Sequence, residues 1–140
     1  MTIAMQATAY NIPQPGNPKM RLRDEGLTET DRKYAVGMHL LSLISFLLSG
    51  GLLTVLGPLV LWLIRKDRSP FDDDHGREVI NFGISFMLWG LLAGISIFVG
   101  IGFILLPALW IVVIVNNIRG AIAAGNGEYF RYPMTIRFLS

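Results

Sequence analysis

The residues best equipped for chemistry lie in one stretch, Asp72-Asp73-Asp74-His75, followed by Glu78. His75 and Glu78 are three apart and so share a helical face. With Asp72 and Asp74 they make a set of carboxylate and imidazole donors of the kind that holds a divalent cation. The same stretch reads equally as the start of a helix. Ser69 fits the N-cap and Pro70 the first helical position; Asp72 falls three residues after the cap, and the carboxylates face the positive end of the helix dipole. The chain has only two histidines, and the other, His39, brings no spaced pair of ligands with it. Capping with solvation at a boundary is therefore favoured, with a metal site as the alternative.

Other chemistry is thinly supplied. There are no cysteines, which removes disulfides, thiolate metal sites and cysteine nucleophiles together. No HExxH pair, phosphate-binding loop or Ser-His-acid arrangement occurs, and no two carboxylates sit inside an apolar run. A non-enzymatic protein without a cofactor is expected. The net charge of +2, with no basic cluster interleaved with exposed aromatics, gives no support for a nucleic-acid partner.

The elements that must position these residues are set by where the charges are missing. Only 16% of residues are charged, against about 25% in an average soluble domain. All 12 basic and 10 acidic residues lie outside two blocks, the 31 residues from Tyr34 to Ile64 and the 40 from Val79 to Ile118. A spanning helix needs about 20 apolar residues, and both blocks exceed that. As one straight helix the first block would measure about 46 Å against a hydrocarbon core of about 30 Å, so Gly50-Gly51 is expected to split it. The first helix then runs from Glu29, capped by Thr28, to Leu48. The second runs from about Leu52 to Lys66, with a kink at Gly57-Pro58 because Pro58 lacks an N–H. The second block holds two spans joined at Gly100-Ile101-Gly102, the last ending at Gly125-Asn126-Gly127. With two crossings per block every basic residue falls on one side, which the positive-inside rule makes cytoplasmic.

Polar residues inside the blocks have two readings. His39, Asn81, Asn116 and Asn117 either hydrogen-bond between helices, worth about 1 kcal/mol per contact, or line a track for a substrate or protons. The first is favoured because the spans hold no charged side chain. Gly90 and Gly94 form a GxxxG pattern with Gly83 on nearly the same face; packing within the chain is favoured over homodimerisation. After the last helix, Glu128-Tyr129-Phe130-Arg131-Tyr132-Pro133 and Ile136-Arg137-Phe138 mix aromatics with arginine. This suits a segment lying along the headgroups, or a partner-binding tail that uses Tyr129 and Tyr132. Upstream of the first helix, Pro13, Pro15, Gly16 and Pro18 mark a flexible tail. Ala7-Thr8-Ala9 looks like a cleavage site but lacks a preceding apolar region.

Several short motifs resemble the Tic20-like family of small bacterial membrane proteins. They are Gly57-Pro58-Leu59-Val60, Arg65-Lys66-Asp67, Ser69-Pro70-Phe71, His75-Gly76, Asn81-Phe82 and Asn126 to Pro133, with His39 in the first helix. The resemblance implies a four-helix fold in a bacterial inner membrane, a link to protein transport, and no catalytic residues. The expected fold is all-α and polytopic: a four-helix bundle of two helical hairpins with a kinked short second helix. Residues 1–27 form the tail, 28–127 the transmembrane domain and 128–140 an interfacial segment. The expected function is that of a membrane component acting through self-association or a larger complex, its partners being the bilayer, a second copy or another membrane protein. Two other classes are a small-molecule or ion permease lined by His39, the serines of the spans and the asparagines, and a metal- or cofactor-binding membrane protein centred on His75 and its acidic neighbours.

Overall fold

The computed structural model describes Tyr10–Asn11 and residues 23–140. Apart from an antiparallel pair of two-residue strands, β1 (Tyr10–Asn11) and β2 (Arg23–Asp24), the regular structure is helical. Helix α1 spans Glu29–Ser49, α2 Leu56–Arg65, α3 Pro70–Ile95 and α4 Gly102–Gly125, with a 3-10 turn, Ser96–Val99, after α3. Most of the expected tail lies outside the described residues. Its last part, however, is fixed to the far end of the chain: the Asp24 N–H donates to the Gly127 carbonyl at 2.8 Å, and Arg23 pairs with Glu128 at 3.2 Å.

The helix ends follow from local chemistry. Thr28 and Asp31 form a reciprocal capping box, each side chain accepting from the other's backbone N–H at 3.2 Å. Gly50 closes α1 in the left-handed region at φ 65°, and Gly100 closes the 3-10 turn at φ 86°, conformations a side chain would strain. Ser69 caps α3 by accepting from the Asp72 N–H at 3.2 Å, with Pro70 at the first helical position.

The second helix departs from expectation. It begins at Leu56 rather than near Leu52, because Gly50–Val55 are spent in turns. Pro58 consequently falls in the first turn, where a backbone N–H has no partner within the helix to lose, so the reason for a kink disappears. At 10 residues α2 is about 15 Å long and cannot cross a bilayer by itself.

Helix α1 packs against the other three helices, most extensively α4, and α3 also meets α2 and α4. Glycines permit the closest approaches. A Cβ at Gly120 would overlap the His39 ring, one at Gly76 the Trp62 indole, and one at Gly57 would press on Ser45 and Leu41 of α1. Gly90 and Gly94, the pair expected to mediate packing within the chain, do no such thing: nothing lies within 4 Å of a Cβ at either. The core combines Met38 and Phe46 of α1 with Val79, Phe82 and Phe86 of α3 and Val113 of α4. Outside it, α3 and α4 leave Leu91, Leu92, Ile95, Phe103, Ile104 and Ile111 exposed.

Candidate functional site

Three parts of the chain converge at one end of the packed helices: the start of α1, the α2–α3 junction and the segment after α4. Arg65 at the end of α2 joins the first two, donating from Nε to Asp72 at 2.7 Å and from Nη2 to Asp31 at 2.5 Å. Its guanidinium also lies over the Tyr34 ring, 4.5 Å from the centroid. Asp72 is fully buried, so removing Arg65 would leave a carboxylate with neither water nor a counter-ion.

Behind this ion pair lies a polar chain of buried rings. His39 of α1 and His75 of α3, both 0% exposed, meet through Nε2 and Nδ1 at 2.8 Å. His75 Nε2 donates to the Glu128 carbonyl at 3.0 Å, and since a carbonyl only accepts, that nitrogen carries the hydrogen. At the other side His39 Nδ1 hydrogen-bonds the Tyr132 hydroxyl. That hydroxyl also lies 3.0 Å from Asn117 Oδ1, while the Asn117 amide nitrogen donates to the Val113 carbonyl one turn earlier. Both ends of the chain are thus acceptors. Its four contacts call for four hydrogens, whereas two neutral imidazoles and a hydroxyl supply three, so the neutral chain leaves one of the four contacts without a hydrogen. Aromatic rings enclose the pair: Phe71 lies 4.3 Å from His75 by centroids, Tyr129 stacks on His75 at 6.3 Å, and Phe130 meets His39 edge-on at 6.1 Å.

The residues considered as metal ligands do not converge. Asp72 faces Arg65; Asp74 takes Arg131 in a two-pronged pair at 2.7 and 2.8 Å; Glu78 takes Arg137 at 3.0 Å. Hydrogen bonding to Asp74 raises the Arg131 pKa further and keeps the guanidinium charged. Asp73 accepts from the Trp62 indole at 2.8 Å and from Arg77. Among the described residues no group of three His, Asp or Glu side chains is placed to hold a metal ion. The physical reason is the helix itself, which fans successive carboxylates around its first turn toward different neighbours.

Asn81 does something the sequence did not suggest. It reaches the chain terminus, donating to the Leu139 carbonyl at 2.8 Å and accepting from the Phe138 and Leu139 N–H groups at 3.1 and 2.8 Å. Asn116, by contrast, donates to its own Val112 carbonyl, and its amide oxygen has no partner among the described residues. The segment after α4 is no loose layer. Tyr132 is buried at 2% exposure, and its N–H donates to Glu78 at 3.2 Å. Sequence reasoning missed the parts played by Arg65, Ser85, Trp89 and Arg137. One signal was available: Glu78, Asn81, Ser85 and Trp89 recur at spacings of three and four, a stripe of polar groups that continues into the apolar part of the helix.

At the opposite end an apolar cavity of about 310 Å³ opens between α1, α3 and α4, bordered by Phe46, Phe86, Leu109, Trp110 and Gly90. It gathers no ionisable group, so the polar cluster and the cavity are separate features.

These features define a class first: the described residues form an all-α fold of four helices, two of them long and apolar enough to cross a membrane, Pro70–Val99 including the 3-10 turn and Gly102–Gly125. Within that class the assignment is specific, for residues 30–139 match the MamF/MmsF model, the magnetosome magnetite crystal formation protein family. The match covers most of the chain, and the chain belongs to that family. No curated protein and no solved structure matches it. The resemblance to Tic20-like proteins is corrected by this assignment, and the link to protein transport, which rested on it, falls with it.

Proposed function

We propose that this chain is a non-enzymatic, multi-pass protein of the magnetosome membrane that supports magnetite crystal formation through the shape and surfaces of its helical bundle. The family match over residues 30–139 carries the reading. The site chemistry supports it. The buried ionisable groups at the polar end, Asp72, His39, His75, Glu78 and Arg65, take partners within the chain. A catalytic site would leave such groups free to face a cleft.

Four crossings suit the architecture. Helix α1 rises from the charged end, the Gly50–Val55 turns with α2 return to it, and α3 and α4 repeat the excursion. The Arg65 pairs to Asp31 and Asp72, and the Asp24 contact with Gly127, bring every charged junction to one end. The positive-inside rule sets that end toward the cytoplasm. Lipid covers the exposed apolar faces, and association with a second copy or another membrane protein is the mode of action proposed. The test uses full-length chains tagged after Ser140 or at Gly51. Both tags stay with isolated magnetosomes through an alkaline carbonate wash, and protease added to sealed vesicles removes only one of the two. Release by carbonate, or loss of both tags together, overturns the reading.

A further inference from the structure

From Tyr132 onward the chain runs along α3 away from the charged end, turns at Pro133-Met134 and comes back. The Trp89 indole donates to the Met134 carbonyl at 3.0 Å at the far point. On the return the Ile136 N–H donates to Ser85 Oγ at 2.8 Å, the Phe138 and Leu139 N–H groups meet Asn81, and Arg137 reaches Glu78 at 3.0 Å. Met134 takes a positive φ of 55°, which makes the reversal tight. While the backbone is bonded inward to the polar stripe of α3, the side chains of Met134, Ile136 and Phe138 point outward and are exposed. Leu88 and Leu92, which flank Ser85 and Trp89 on the helical wheel of α3, are exposed as well.

We propose that residues 132–139 form a re-entrant strap whose outer face contacts lipid acyl chains, instead of an interfacial segment among the headgroups. This rests on the membrane reading given above. Length decides between the two placements. From Glu78, the last charge of α3, to Val99 is about 31 Å of helix, which matches a hydrocarbon core of about 30 Å. If the strap lay outside that core, the hydrocarbon would begin beyond Trp89, leaving about 15 Å of helix from Gly90 to Val99 to cross it. The tip of the strap therefore lies about 16 Å beyond Glu78, near mid-membrane. Irregular backbone is tolerated at that depth only when its polar groups are bonded to protein, which is the service that Asn81, Ser85 and Trp89 perform.

The absence of native cysteine makes the test direct. Single variants Met134→Cys, Leu91→Cys and Ser140→Cys are spin-labelled and reconstituted as full-length chains in phosphatidylcholine vesicles. Relaxation by oxygen, which concentrates in hydrocarbon, is compared with relaxation by a water-soluble nickel chelate. The strap predicts that labels at 134 and 91 favour oxygen and the label at 140 favours nickel. Adding Asn81→Leu, which removes three bonds to the strap, shifts the label at 134 toward nickel and leaves 91 unchanged. If 134 behaves as 140 does while 91 favours oxygen, the strap is overturned and the membrane reading stands. If 91 also favours nickel, both fall.

Discussion

The Tyr132 hydroxyl stands between the His39 ring and the Asn117 amide oxygen, two buried groups with few other partners. Tyr132→Phe keeps the stacking on Phe82, 4.0 Å between centroids, while leaving both groups short of a hydrogen-bond partner. Each such loss in a buried setting costs about 1–3 kcal/mol, and the variant is expected to be destabilised by about that amount or somewhat more. Denaturant titration in detergent micelles, followed by tryptophan fluorescence, measures it; a change below about 0.5 kcal/mol would show that the hydroxyl is dispensable. This connection was not legible in the sequence. His39, His75 and Tyr132 are far apart along the chain, and no spacing rule joins groups that meet only when three segments pack. Types were legible where positions were not: a histidine and asparagines in uncharged blocks had to be paired, and apart from the Asn116 oxygen they are. Only His39 meets another helix, however, Asn81 and Asn117 reaching the segment after α4 and Asn116 its own helix.

At the scale of elements, glycines divide into those that seat a neighbour and those that face outward. Gly120→Ala drives a methyl into the His39 imidazole and should destabilise by about 1–3 kcal/mol, as overpacking does. Gly94→Ala meets open space and should be neutral or stabilising by up to about 1 kcal/mol through helix propensity. The same unfolding titration compares them, and equal effects would contradict the helix placement. Helix limits were well marked in the sequence, since Thr28, Ser69-Pro70, Gly50 and Gly100 act locally through caps and left-handed turns. The start of α2 was missed because the cost of the Gly50–Val55 turns is not written in any one residue, and the error carried a false kink at Pro58 with it. The composition of residues 128–140 suits a headgroup layer, and the bonds that Asn81, Ser85 and Trp89 make to this segment were not legible in it. Short Gly-Pro, Ser-Pro and terminal aromatic motifs also misled the family resemblance, because helix starts and tight turns demand such residues in many helical hairpins.

On the scale of the whole molecule, charge and apolar surface are segregated. Asp31, Arg65, Asp72, Asp74, Glu78, Arg131 and Arg137 knit one end together, and exposed leucine, isoleucine and phenylalanine side chains cover the rest of the bundle. The absence of charge from two long blocks announced this plan in the sequence, whereas the biological setting came from the family match alone. Action through architecture and action through chemistry at the histidine pair predict different outcomes for one substitution. His75→Gln discriminates, because glutamine retains a donor for the Glu128 carbonyl and cannot act as imidazole does in proton transfer. The decisive measurement is the size distribution of magnetite crystals, by electron microscopy, in a magnetite-forming strain whose own copy of this chain is replaced by His75→Gln. Crystals like those of the parent strain are expected when the variant reaches the membrane at the parent level. Small or missing crystals at that same level would show that the imidazole itself is needed.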